Sequence, residues 1–178
     1  MDKDFLLINK MKNGDEAAME SFVRRYYPQI LRYCHYHIAD KSFAEDMAQE
    51  TFEKFFAALP VYRHRGKALN YLYTIAGNLC RDLYKKRADI PLREVPDAGN
   101  YQMDPVNTRL DMEKALAGLS QESRDVLILY FFQERKQREI AEILNIGLPL
   151  VKYRLKQAKL QLGGLLGCLL YTSPSPRD

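Results

Sequence analysis

Glu139-Ile140-Ala141-Glu142-Ile143-Leu144-Asn145-Ile146-Gly147-Leu148-Pro149-Leu150-Val151-Lys152-Tyr153-Arg154-Leu155 is the stretch that decides the fold. Arg135 to Leu144 reads as one helix, with Ile140, Ala141, Ile143 and Leu144 on its apolar side. Asn145-Ile146-Gly147 supplies residues able to turn the chain, and Pro149 suits the first turn of a second helix. In that helix, about 148 to 162, Val151, Leu155, Ala158 and Leu162 recur at helical spacing and predict a buried stripe. Small Ala141 lets the two helices cross closely. The pair predicts a helix-turn-helix. The outer side of its second helix carries Lys152, Tyr153, Lys156 and Gln157, long donors and a ring suited to base edges in a major groove. Arg154 and Lys159 lie off that face, where phosphates are the natural partners.

Working outward, charge is more informative in blocks than in total. The 178 residues carry 27 Lys and Arg against 23 Asp and Glu, which hides a strong asymmetry. Residues 61–87 hold seven cations against Asp82 alone, and 135–159 hold seven against Glu139 and Glu142. Between them, 88–107 has Arg93 against Asp89, Glu94, Asp97 and Asp104, with Pro91, Pro96, Gly99 and Pro105: the composition of a flexible acidic linker. Two small basic modules on a tether suit nucleic acid as a partner. The expected division is 1–88, a linker at 89–107, and 108–167.

The rest of the chain reads as helix, so the expected class is all-α. Residues 15–38 place Ala18, Phe22, Tyr26, Ile30 and Leu31 at helical spacing, with a bend or restart at Pro28. Ser42 and Glu45 fit a capping box ahead of Ala44, Ala48, Phe52 and Phe55. From about Lys67 to Arg87, Leu72, Ile75, Ala76, Leu79 and Leu83 share one face. Beyond the linker, Asn107 or Thr108 starts a helix to about Leu119, and Ser120 caps the next.

Roughly opposite the apolar face of 67–87 runs a polar stripe of Tyr71, Thr74, Asn78, Arg81 and Lys85, preceded by Tyr62, Arg63 and Arg65. Rings stack on unstacked bases, an amide reads a base edge and cations hold the backbone, so this set suits single-stranded nucleic acid. Glu45, Asp46, Gln49, Glu50 and Glu53 form an acidic surface fit for a basic partner helix. No aspartate cluster or helper histidine makes that surface a metal site. Cys34 with His37 gives two ligands where zinc sites use four. No phosphate loop, His-Glu-x-x-His pair or Gly-x-Ser-x-Gly turn is present, so no catalytic centre, metal, cofactor or small-molecule substrate is expected.

Several motifs then align in order. Gly14-Asp15-Glu16-Ala17-Ala18 with Phe22 and Tyr26-Tyr27-Pro28, Asp46-Met47-Ala48-Gln49-Glu50-Thr51-Phe52, and Leu72-Tyr73-Thr74-Ile75-Ala76-Gly77-Asn78-Leu79-Cys80-Arg81-Asp82 resemble region 2 of extracytoplasmic-function sigma factors, small promoter-recognition subunits of the sigma-70 family. Glu139–Leu144 with Val151–Leu155 is similar to their region 4. The resemblance covers about 10–165. It implies that Asp46, Gln49, Glu50, Phe52 and Glu53 dock on the clamp helices of the largest subunit of core RNA polymerase, with a further contact at its flap region. It also implies that 62–87 melts and reads the −10 element as single strand, Asn78 matching the family's promoter-reading asparagine. The −35 element is then read as duplex by the 148–159 helix, chiefly through Lys152, Tyr153, Lys156 and Gln157, with Arg154 and Lys159 placed for its phosphates. An anti-sigma factor is a further implied partner.

The chain departs from the pattern at Tyr71, where Trp is usual, at Ala68, where an aromatic is common, and at Gly147-Leu148-Pro149-Leu150, where a Ser-x-Gly-Thr-like entry is usual. The rival reading is a free-standing helix-turn-helix regulator whose N-terminal domain dimerises or senses a ligand. The cysteines Cys34, Cys80 and Cys168 show no paired spacing, and the acidic start before Phe5-Leu6-Leu7-Ile8 lacks a signal-peptide pattern, so a cytoplasmic location is expected, on the nucleoid in holoenzyme or at the membrane when an anti-sigma factor holds it. Residues 168–178, Cys-Leu-Leu-Tyr-Thr-Ser-Pro-Ser-Pro-Arg-Asp, read as a non-native tail derived from a sequencing adapter, with the native C-terminus lost near Gly167.

Overall fold

A computed structural model describes residues 2–88 and 115–166, which are helical with no strand among them. The N-terminal part holds α1 (Lys3–Lys12), α2 (Glu16–His37), α3 (Lys41–Ala58) and α4 (Ala68–Ala88). The C-terminal part holds α5 (Gln121–Leu127), a π-helical turn (Ile128–Phe132), α6 (Gln137–Leu144) and α7 (Leu148–Leu166). The expected linker, the expected helix start at Asn107 or Thr108 and the 168–178 tail lie outside the described residues.

Short acidic or hydroxyl side chains start the helices by accepting otherwise unmet amides. Asp2 accepts from the Asp4 amide at 3.0 Å, Asp15 from Ala18 at 3.1 Å, Asp40 from Phe43 at 3.2 Å and Ser120 from Ser123 at 3.3 Å. The cap of α3 is therefore Asp40 and not Ser42, which lies one residue inside the helix. α2 also differs from expectation: it runs unbroken through Pro28. Pro28 faces solvent, where water can meet the carbonyl it leaves unpaired, while Phe22, Ile30 and Tyr33 are fully buried on the opposite side and hold the two halves in one line.

Phe22 is the centre of the N-terminal core, stacked on Phe55 at 4.8 Å and edge-on to Phe52 at 6.3 Å. Burial of each such side chain stabilises the fold by roughly 1.5–3 kcal/mol. In the C-terminal part, Ile140 and Ile143 of α6 pack with Val151, Leu155, Ala158 and Leu162 of α7, all buried as the spacing requires. Asn145 takes the left-handed conformation, φ 52°, and the Ile146 amide returns to the Ala141 carbonyl at 3.0 Å. This is the turn of the helix-turn-helix. Glu139 caps α6 by accepting from the Lys136 amide at 2.9 Å. The buried side chains of both parts form one continuous core, so the two parts are packed together.

Candidate nucleic-acid interfaces

Burial alternates along residues 62–65: Tyr62 and His64 are half-buried while Arg63 and Arg65 stand in solvent. Tyr62 stacks on Tyr71 of α4 with centroids 5.0 Å apart, and both rings rest on Phe55. Burial, followed by the nearby Asp4 charge, pushes the Tyr62 hydroxyl up to about 12, so it stays protonated and able to donate. Beside the ring pair opens a cleft of about 200 Å³ whose walls include Arg63, Arg65, Lys67, Asn70 and Thr74. Further along α4, Asn78 and Lys85 are exposed, and Arg81 donates to the Asn78 side-chain oxygen. The structure thus gathers Tyr62, Arg63, Arg65, Tyr71 and Thr74 around one cleft and continues them with Asn78, Arg81 and Lys85. Tyr73 points the other way, into the core.

The far wall of that cleft is the second domain. Glu142 and Ile143 of α6 line it. Thr74 Oγ1 donates to the Ile143 carbonyl at 2.9 Å, Lys67 Nζ lies 2.6 Å from Glu139 Oε1, and Asn70 Nδ2 donates to the same oxygen at 3.3 Å. Burial alone would raise the Glu139 carboxyl, but hydrogen bonds from Lys67, the Lys136 amide and Asn70 outweigh it and hold it at about 2. Tyr73 donates to Gln133 Oε1 at 2.7 Å, and Tyr36 stacks on Phe132 at 4.2 Å.

The deepest part of the junction is polar. Arg81 Nη1 donates to Asp125 Oδ2 at 2.9 Å, and His37 Nδ1 lies 3.5 Å from the other oxygen of Asp125. Burial raises the Asp125 carboxyl to about 6 against the pull of Arg81 and Arg124. Burial, then Arg124 and Arg81, lowers His37 to about 3, so the imidazole is neutral. Gly77 is required here because a Cβ would come within 2.9 Å of the buried Tyr33 hydroxyl. The sequence pattern gave no sign of Asp125, His37, Gln133 or Tyr36 as junction residues.

On α7, Lys152, Tyr153 and Lys156 are exposed, Tyr153 to 59%, and Gln157 is half-buried beside them. Arg154 turns back to Glu122 at 3.3 Å, and Lys159 lies over the Tyr130 and Phe131 rings. On α3, Asp46, Gln49 and Glu53 are exposed, with Gln49 donating to Glu53 at 3.1 Å, and Glu50 lies 3.7 Å from Lys54. Phe52 is buried against Phe22 and Tyr27, so it can shape this surface only from beneath. Among the described residues no three His, Cys, Asp or Glu side chains gather as a metal cage, and Cys34 and Cys80 are buried free thiols.

Known proteins share this sequence pattern and fold. Residues 22–90 match the Sigma-70 region 2 model and 109–162 match Sigma-70, region 4. The chain is 30% identical over 162 residues to the RNA polymerase sigma factor YlaC of Bacillus subtilis, covering 85% of this chain and 92% of that one. It is 26% identical to the ECF RNA polymerase sigma factor SigW of the same organism, with 85% and 90% covered. The fold is that of CnrH in complex with the cytosolic domain of CnrY, at a TM-score of 0.75, 23% identity and coverage of 94% and 99%. The sigma factor RpoE from Bartonella quintana in complex with the anti-sigma factor NepR is also similar, at 0.67, 22% identity and coverage of 83% and 95%. The chain belongs to the sigma-70 family, as an extracytoplasmic-function RNA polymerase sigma factor.

Proposed function

We propose that this sigma factor divides promoter recognition between the two faces described above. Tyr62, Arg63, Arg65, Tyr71, Thr74, Asn78, Arg81 and Lys85 take the melted −10 strand; Lys152, Tyr153, Lys156 and Gln157 read the −35 duplex, with Arg154 and Lys159 on phosphates. The observation that carries this reading is the stacked Tyr62–Tyr71 pair rimmed by Arg63, Arg65 and Lys67. Bases captured on rings offset the pairing and stacking lost on melting. Asp46, Gln49, Glu50 and Glu53 offer the clamp helices of core polymerase an acidic partner, with Phe52 supporting them, and the second domain meets the flap region. Polymerase supplies all the chemistry, and this chain needs no cofactor. It works in the cytoplasm; no described helix is long and apolar enough to cross a membrane.

The junction adds a condition. Lys67, Asn70, Thr74 and Arg81 are bonded to the chain's own second domain. The domains must part before the −10 strand can use them. An anti-sigma factor that binds the packed form would prolong it, and the packed fold resembles that of a sigma factor solved with an anti-sigma factor.

Promoter-dependent transcription from a library template, with purified core polymerase and the full chain, tests the reading. Specific transcripts that need the protein, and vanish with Asp46→Ala/Glu50→Ala, are expected. Tight duplex binding without polymerase, and no transcripts, would instead favour a free-standing regulator.

A further inference from the structure

We propose that α1 is a clasp that positions the 62–66 loop: Asp2 and Lys12, at its two ends, hold His64 and the main chain of Tyr62, so that Arg63 and Arg65 face the DNA strand. The proposal rests on the reading of 62–85 as the −10 surface, and its test separates the two. His64 Nε2 lies 2.6 Å from Asp2 Oδ2, and Nδ1 lies 3.3 Å from the Tyr62 hydroxyl. Lys12 Nζ donates to the Tyr62 carbonyl at 2.6 Å. The two holds come from opposite ends of a ten-residue helix, roughly 15 Å apart along its axis.

The clasp stands on a fixed base. Asp4 accepts from the Tyr26 hydroxyl at 2.5 Å and from Arg25 at 3.1 Å, tying α1 to α2. Ile8 and Met11 are buried beneath it. On the other side, the loop ends at Gly66, whose φ of +98° only glycine adopts without strain. Burial alternates along 62–65, so the side chain held inward sets which neighbours face out. His64 is that side chain, only 7% exposed, and its neighbours Arg63 and Arg65 are both exposed. α1 lies ahead of the region 2 match, which begins at residue 22.

Two readouts on the full chain test this. Trypsin cleavage after Arg63 and Arg65 reports loop order directly, since cleavage tracks local opening. His64→Ala, Asp2→Ala and Lys12→Ala should each be cut roughly three- to fivefold faster than wild type at unchanged Tm. His64→Gln and Asp2→Glu, which keep a hydrogen bond, should restore protection, and Asp2→Ala/His64→Ala should be no faster than the worse single variant. Transcription by holoenzyme then compares a duplex promoter with the same promoter pre-melted at the −10 element. The Ala variants should lose initiation on both templates, with His64→Gln rescuing it. Unchanged cleavage in His64→Ala overturns the clasp. So does normal initiation in His64→Ala on promoters where Tyr71→Ala and Asn78→Ala fail. If cleavage accelerates but Tyr71→Ala and Asn78→Ala initiate normally, the clasp holds the loop and the −10 reading is what falls.

Discussion

Arg81 of α4 and Asp125 of α5 meet at 2.9 Å across the junction between the two domains, although one is expected to touch DNA and the other lies in the core. The same guanidinium also bonds Asn78, so it links the candidate promoter face to the packed interface. One side chain is therefore claimed by two states of the molecule. Its engagement with Asp125 competes with its availability to a DNA strand.

The two partners are not equivalent, and that asymmetry is testable. Asp125 is 6% exposed at its side chain, Arg81 27%. Arg81→Ala strips the buried Asp125 of its main cationic partner, so the carboxyl beside a neutral imidazole must take up a proton or draw in water, whereas Asp125→Ala frees a guanidinium that water already reaches. Removing one partner of a buried pair costs about 3–5 kcal/mol, and less where the survivor resolvates. Arg81→Ala should thus open the domains more than Asp125→Ala, read as a larger radius of gyration by small-angle scattering. Equal expansion in both variants would contradict the asymmetry.

The same site makes domain closure depend on pH through two groups of opposite sign. The Asp125 carboxyl lies at about 6 in the packed form against 3.8 ordinarily, so packing binds its proton more tightly. On this group's account, closure strengthens as pH falls from 7 towards 4 and weakens as pH rises through 6, by on the order of 3 kcal/mol in full. His37 lies at about 3 against 6.5, so its contribution to closure is present above pH 6.5 and lost as pH falls below it. His37→Asn should leave closure rising with acidification, and Asp125→Asn should leave it falling below pH 6.5. Scattering profiles from pH 4 to 8 check both signs.

The apolar stripes of α2, α3, α4 and α7 were legible because each repeats over several turns, as Val151, Leu155, Ala158 and Leu162 do. The junction was not. A polar stripe such as Lys67, Asn70, Thr74 and Arg81 looks the same whether it faces nucleic acid or another protein surface. Asp125 and His37 are charged or titratable residues buried only by tertiary packing, which local pattern does not encode. The run Val126–Phe132 is apolar throughout, so periodicity gave no hint of the π-helical turn over Ile128–Phe132. Asp40 and Ser42 are both capping residues two positions apart, and spacing alone did not choose between them.

On α3, burial separates the residues expected to dock polymerase into two kinds. Asp46→Ala/Glu50→Ala removes half-buried or exposed charge and should leave Tm within a degree or two while weakening polymerase binding about tenfold or more. Phe52→Ala instead empties a place between Phe22 and Tyr27 and should destabilise the fold by about 3–5 kcal/mol. Thermal melts and polymerase affinity measured on the same preparations separate surface from support. Phe52→Ala with an unchanged melt would mean that α3 packs differently.

The cations of α7 should likewise differ in what they do to duplex binding. Lys152 and Lys156 are exposed, while Arg154 is held at 3.3 Å by Glu122 and Lys159 lies over two rings. A lysine that contacts phosphate contributes about one unit to the slope of log K against log salt, whatever the base sequence. A side chain that reads a base edge changes preference at one position instead, by about 1–3 kcal/mol. Lys152→Ala and Lys156→Ala are therefore expected to change −35 base preference, and Lys159→Ala to reduce the salt slope with preference intact. Arg154→Ala should do less than Glu122→Ala gains, because removing Glu122 releases the guanidinium towards the DNA. Holoenzyme titrations of duplex −35 variants at several salt concentrations measure both quantities, and a uniform loss across all bases in Lys152→Ala and Lys156→Ala would reassign those lysines to the backbone.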